Sequence, residues 1–245
     1  MAYAICNVPV APIRLTPNHR VEMVSQLLFG ECCTINETDK NGWAQITCKA
    51  DGYNGWAQLT HLKKIDEAQF NEKAIGIAGD WVNEIDYNGT PMFISMGSLI
   101  TKSTKFKGNI WNPAIAKLTE ATIKEIAFKF LNTTYLWGGR STFGIDCSGF
   151  AQAVYKFLNI PLLRDAKLQA TEGEVVGFLQ EVNCGDLAFF DDEEGEIVHV
   201  GILLNEKEII HSAGKVRVDK IDSQGILNVD TGLRTHQLRI IKRYF

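Results

Sequence analysis

No stretch of this sequence approaches the roughly twenty consecutive apolar residues that a membrane-spanning helix needs, so no span is expected. Cysteine is scarce: Cys6, Cys32, Cys33, Cys48, Cys147 and Cys184 are the six in 245 residues, too sparse for a disulfide framework. No pair of them forms C-x-x-C, which removes the usual spacing of a structural zinc site. There is no block of lysine and arginine, and 25 basic against 29 acidic side chains leave a net charge of −4. A nucleic-acid partner is therefore not expected. Met1 to Pro12 has no basic segment followed by an apolar one, so it does not read as a secretory signal. Together with the sparse cysteines this predicts a reducing, cytoplasmic setting. What remains is an ordinary composition, 45% hydrophobic and 22% charged, long enough for one large domain or two smaller ones.

Three regions differ in pattern. Residues 1–65 read as all-β, with short apolar or alternating segments at Val21 to Phe29, Cys33 to Asn36, Trp43 to Thr47 and Trp56 to Leu59 between turn residues. Gly42-Trp43-Ala44-Gln45-Ile46 returns as Gly55-Trp56-Ala57-Gln58-Leu59, which predicts neighbouring strands of a small barrel joined through Asp51-Gly52. Residues 66–112 read as a shortened second β-module, with a hairpin across Asn88-Gly89 and a linker from Lys102 to Asn109. Residues 113–245 read as α+β: a helix over Glu120 to Leu131, a second beginning at Cys147, a short one near Asp165 to Glu172, then strands to Tyr244.

The chemistry centres on Asp146-Cys147-Ser148-Gly149-Phe150. A glycine-rich turn (Gly138, Gly139, Gly144) delivers Cys147 to the first turn of an apolar helix, where unpaired N–H groups and the helix dipole favour a thiolate. A lone cysteine there would read as core. Two histidines change that reading. His199 begins one predicted strand and His211 ends the next, so an antiparallel pairing brings them to the same end of a hairpin. A helix-borne cysteine facing a sheet-borne histidine, oriented by a third group, is an arrangement for acyl transfer.

The tracts YLWGG (135–139), DCSGFAQ (146–152), RDAKLQA (164–170), GDLAFF (185–190), HVGILL (199–204) and IIHSAG (209–214) closely resemble the NlpC-type cysteine peptidases that act on bacterial cell-wall peptides. The resemblance runs over about residues 115–245. EMVSQLLFGE (22–31) and DGYNGW (51–56) are similar to the bacterial SH3-like module joined to γ-D-glutamyl-L-diamino-acid endopeptidases. It implies an N-terminal SH3-like barrel followed by a papain-like α+β catalytic domain. It further implies Cys147 as nucleophile, His199 as general base and acid, and His211 as the group orienting His199, so that no triad aspartate need be sought.

By the same carry-over Tyr135 sits beside the nucleophile, and Asp146 and Ser148 flank it. Glu22, Tyr53 and Asp165 correspond to residues that hold the free amine of an N-terminal L-alanine, with Glu31 as a competing carboxylate. Ala166 stands where the family commonly has serine. Trp137 is a candidate for lining the cleft. His19, His61 and His236 have no partner spacing and read as surface or packing residues. The implied function is hydrolysis between γ-D-glutamate and the following diamino acid, meso-diaminopimelate or L-lysine, in free murein-derived peptides, without metal or organic cofactor. A cell-wall amidase or acyltransferase on the same fold, and a non-catalytic wall-binding protein, are the competing readings.

Overall fold

Short runs of β-branched and aromatic residues, cut by glycine, asparagine and aspartate, set the first part of the chain as strands. In this computed structural model, which describes residues 2–245, they are β1 (Ala2–Cys6), β2 (Val10–Arg14), β3 (Met23–Leu28), β4 (Cys32–Thr38), β5 (Trp43–Cys48), β6 (Asn54–Gln58) and β7 (Leu62–Ile65). They pair in the order β3-β2-β6-β5-β4-β1-β7, an SH3-like barrel. The repeated Gly-Trp-Ala tracts form β5 and β6, with Trp43 opposite Gln58 and Ile46 opposite Gly55. Period-two alternation sends Ala4, Ile13, Leu27, Cys33, Ile46 and Ala57 into one core. All six cysteines are free thiols.

After the helix α1 (Glu67–Asn71) come β8 (Gly76–Ala78), β9 (Val82–Tyr87), β10 (Thr90–Ser95), β11 (Leu99–Ile100), β12 (Lys105–Lys107) and β13 (Ile110–Trp111). They make two sheets, ordered β10-β9-β12 and β11-β8-β13. The β9–β10 hairpin turns at Asn88-Gly89, both in the left-handed region at φ 54 and 85, as Asn-Gly demands. The reading of residues 102–109 as a linker is corrected: β12 lies there, Phe106 opposite Ile85. Phe106 packs on the core of Ala78, Ile85, Ile94 and Ile100, as does Phe29 from the barrel side. A single inward residue in a three-residue strand leaves no alternation to read.

These elements form one compact unit, which runs through Ile115 and also takes in Leu136–Gly144. That stretch, placed by sequence with residues 113–245, carries β14 (Arg140–Ser141) and the start of β15 (Gly144–Ile145). Arg140 Nη1 donates to the Gln26 carbonyl at 2.6 Å and to Glu31 Oε2 at 2.9 Å. Thr142 donates through Oγ1 to the Trp81 carbonyl at 2.8 Å and through N–H to Ser95 Oγ at 2.9 Å. Gly138, at φ +75, lies so close to the Met23 carbonyl that a Cβ would overlap it.

The second unit is Ala116–Tyr135 with Ile145–Phe245. Its helices are α2 (Glu120–Lys129), α3 (Cys147–Phe157) and the short α4 (Ala166–Gln169). Its strands are β16 (Glu174–Val176), β17 (Leu187–Asp191), β18 (Ile197–Leu203), β19 (Glu208–Ala213), β20 (Lys215–Asp222), β21 (Gly225–Leu227) and β22 (Arg234–Arg243). The order is β16-β22-β17-β18-β19-β20-β21, and β21 also pairs with β22, so the sheet curls closed on itself. Phe190, Leu203, Ile209, Ile221 and Ile226 fill a core of this sheet. Helix α3 packs across β18 and β19, and Phe150 meets Phe130 edge to face at 5.8 Å. Among the described residues no helix is long and apolar enough to cross a membrane.

Candidate active site

Asp146 decides where α3 begins. It is extended, at φ −89 and ψ −179, and its carboxylate accepts the Gly149 N–H at 2.7 Å, an N-cap. Arg164, 2% exposed, fixes that carboxylate: Nη2 donates to Oδ2 at 2.5 Å and Nη1 to Oδ1 at 3.1 Å. The same Nη1 donates to Ser148 Oγ at 2.8 Å, and Gln169 Nε2 of α4 donates to the Ser148 carbonyl at 3.2 Å. The sequence assigned Asp146 and Ser148 to substrate. In the structure their side chains hold the first turn of α3, the Asp146 carboxylate through Arg164 and the Gly149 N–H and the Ser148 hydroxyl through Arg164.

Cys147 is thereby fixed at the first helical position and is 6% exposed. The backbone N–H groups of Val200 and Ser148 lie within hydrogen-bonding range of its sulfur, which puts Sγ against the strand residue next to His199. The helix N-terminus alone favours a thiolate. Burial outweighs it, and with the Asp146 carboxylate pushes the thiol up to about 12, against the pull of those N–H groups and of Arg164. Cys147 therefore rests as a thiol, and its sulfur would need a base before it could attack.

Strands β18 and β19 pair with Gly201 opposite His211. His199 lies two residues before Gly201 and so falls diagonally across from His211 on the same face. Gly201 leaves room for this, since a Cβ there would stand 2.9 Å from His211 Cβ. His199 Nε2 and His211 Nδ1 are 2.8 Å apart, with the rings nearly perpendicular at 85°. His211 Nε2 is in turn 2.9 Å from Asp219 Oδ2 on β20, although the resemblance called for no aspartate.

Burial, then His211 and His236, hold His199 well below the ordinary imidazole range, so it rests as a neutral base. Burial opposes ionisation of Asp219. Hydrogen bonds from His211, Arg217 and the Val229 N–H overcome it and hold the carboxylate down to about 2. His236, read from sequence as surface or packing, stacks on His199 with centroids 4.1 Å apart and planes at 26°. Its place on β22 opposite Ile226 comes from sheet closure, which residue spacing does not signal. Among the described residues no group of His, Cys, Asp or Glu is placed to hold a metal ion.

Tyr135 bridges to Ile145; burial first, then its acidic neighbours Cys147 and Asp146, raise its phenol, leaving a neutral hydroxyl. Asp165 is the N-cap position of α4, and Ala166 is its first residue, 9% exposed. In the first unit, Glu31 is buried and ion-paired to Arg140 and also accepts the Leu28 N–H at 2.9 Å, so it is spent structurally. The exposed Glu22 accepts from Trp137 Nε1 at 2.6 Å. Tyr53 is half-buried against the barrel core.

A cysteine on a helix N-terminus, packed on a closed antiparallel sheet that carries a linked imidazole pair, defines a papain-like cysteine peptidase domain. Residues 132–235 match the NlpC/P60 family, and residues 13–62 match the bacterial dipeptidyl-peptidase Sh3 domain. The chain thus carries an NlpC/P60 cysteine peptidase domain behind a bacterial SH3-like barrel. It shares its fold with the crystal structure of an NlpC/P60 family protein from Bacillus cereus, at TM-score 0.81 over 99% of both chains and 18% identity. It is 45% identical over 85 residues to the γ-D-glutamyl-L-lysine dipeptidyl-peptidase of Bacillus subtilis, covering 34% of this chain and 28% of that protein. The protein of the same name from Bacillus cereus is 33% identical over 112 residues, covering 44% of this chain and 33% of that one. The match therefore spans a third or less of these curated relatives' length.

Proposed function

We propose that the chain hydrolyses the γ-D-glutamyl bond to a diamino acid in free murein-derived peptides that begin with L-alanine. The observation that carries this is the hydrogen-bonded pair His199–His211 at 2.8 Å, with the Cys147 sulfur against the neighbouring Val200 N–H. The named activity of the two Bacillus relatives supports the bond and the residue after it. Meso-diaminopimelate presents the same L-configured amine to the scissile bond, so both diamino acids are substrates in this reading.

Sγ attacks the γ-carbonyl of D-glutamate as its proton passes to the neutral imidazole of His199. The oxyanion is received by backbone N–H groups at the start of α3; Cys147 N–H, in the first helical turn, has no intrahelical acceptor. His199 then protonates the leaving amine of the diamino acid, leaving an L-Ala-γ-D-Glu thioester on Cys147. Water, deprotonated by His199, attacks the thioester and releases the dipeptide. Tyr135 offers a neutral hydroxyl beside the nucleophile, and Asp165 is an acceptor for the substrate's free amine.

Alkylation of the intact protein with iodoacetamide tests the nucleophile. Hydrolysis lost in proportion to carbamidomethylation of Cys147, mapped by peptide mass spectrometry apart from the other free thiols, is the expected result. Full hydrolysis by protein quantitatively modified at Cys147 would overturn the assignment.

A further inference from the structure

We infer that Asp219 is a positioning residue of this catalytic relay, deciding which nitrogen of His199 is basic; the inference rests on the peptidase reading above. Asp219 is 1% exposed and stands on β20 two residues from Arg217, so the two share a strand face. Its Oδ1 accepts from Arg217 Nη2 at 2.8 Å and from the Val229 N–H at 2.9 Å. Its Oδ2 lies 2.7 Å from Arg217 Nε and 2.9 Å from His211 Nε2. The same Nη2 of Arg217 lies 2.9 Å from Asp230 Oδ2.

An ionised carboxylate only accepts. His211 must therefore carry its proton on Nε2 and present a lone pair at Nδ1. The atom 2.8 Å from that lone pair is His199 Nε2, which must then carry hydrogen. The remaining lone pair of His199 falls on Nδ1, the nitrogen left to take the proton of Cys147. Without Asp219 nothing in this chain of bonds distinguishes the productive tautomer pair from its reverse. The reverse pair puts hydrogen on His199 Nδ1 and has no base to offer the thiol.

Asp219→Asn makes the reverse pair the favoured one. Arg217 Nη2 and the Val229 N–H both donate to the Oδ1 position, whereas Arg217 Nε, though 2.7 Å from Oδ2, is not aligned to donate to it. Oxygen is therefore favoured at Oδ1, and the amide nitrogen is placed toward His211, donating where the carboxylate accepted. His211 then becomes the Nδ1–H tautomer, and His199 follows.

The test is long-range ¹⁵N–¹H spectroscopy of the full chain labelled in histidine, for wild type, Asp219→Asn and Asp219→Glu, beside turnover and thermal unfolding. Wild type is expected to show His199 and His211 both protonated on Nε2. Asp219→Asn is expected to show both on Nδ1, with kcat lower by roughly 100- to 1000-fold, KM within about threefold, and Tm little changed. Asp219→Glu is expected to restore the wild-type tautomers and part of kcat. Wild-type His199 protonated on Nδ1 would overturn the inference by itself, whether or not the asparagine variant folds. Unchanged tautomers in Asp219→Asn, with kcat falling only alongside Tm, would reduce Asp219 to a structural ion-pair partner. Because the spectra need no substrate, a wild-type protein that leaves the peptide intact would remove the proposed function without touching this result.

Discussion

Cys147 illustrates how two physical effects compete at one atom. Its position at a helix N-terminus pulls toward thiolate, yet burial and the Asp146 carboxylate push it to about 12, so the proposed reaction couples attack to proton transfer onto His199. Cys147→Ala is expected to abolish turnover with Tm shifted by less than about 2 °C, because thiol-to-methyl is a small change in a packed site. Turnover and calorimetry together check it. Glu22 is a different case. Its carboxylate is exposed and its hydrogen bond is to Trp137, so Glu22→Ala is expected to leave Tm nearly unchanged, which calorimetry checks. The placement of Cys147 at a helix start and the meeting of His199 with His211 were legible, because a helix start and two strand ends can be read locally. His236 was not, because it meets the imidazoles only once β22 has paired with β21 and closed the sheet; Asp219 and Arg217 lie on β20, beside β19, and were passed over because the resemblance called for no aspartate.

Two elements position the chemistry, the first turn of α3 and the β18–β19 pair. The first stands on Arg164, whose guanidinium neutralises Asp146 out of reach of water. Arg164→Met would leave Asp146 as a buried charge without its partner, at a cost of about 3–5 kcal/mol. Scanning calorimetry should show the transition of the second unit falling by roughly 10 °C. The second element depends on Gly201. A methyl there would stand 2.9 Å from His211 Cβ and 2.7 Å from Ile209 Cδ1, so Gly201→Ala is expected to displace His211 and lower kcat more than it changes KM, which steady-state kinetics would show. The hairpins were visible in sequence through Asn-Gly and strand alternation. Strand β12 was not, because three residues with one inward Phe106 carry no period.

At the scale of the whole chain, the neutral imidazoles link stability to pH. His236 is lowered to about 4, by burial first and His211 second, and His199 is held well below its ordinary range by burial first, then His211 and His236. A depressed imidazole stabilises the fold above its unfolded value near 6.5, and that contribution is lost as pH falls toward the folded value. Tm is therefore expected to fall between about pH 6.5 and pH 4, and His236→Gln should flatten part of the decline. An identical slope in that variant would contradict the linkage. Pattern divided the chain into residues 1–65, 66–112 and 113–245, and did not show that the first two regions belong to one unit. The grouping of residues 136–144 with the first unit was not legible either, because it rests on Arg140, Thr142 and Gly138 meeting partners far back in the chain.

Mass spectrometry of the products from L-Ala-γ-D-Glu-L-Lys, run beside its N-acetylated twin, tests the central claim most directly. The account predicts L-Ala-γ-D-Glu and free lysine from the unblocked peptide, the acetylated peptide intact, and no product from Cys147→Ala. An unblocked peptide left whole by active-site-intact protein, or one cut at the Ala–Glu bond, would contradict it.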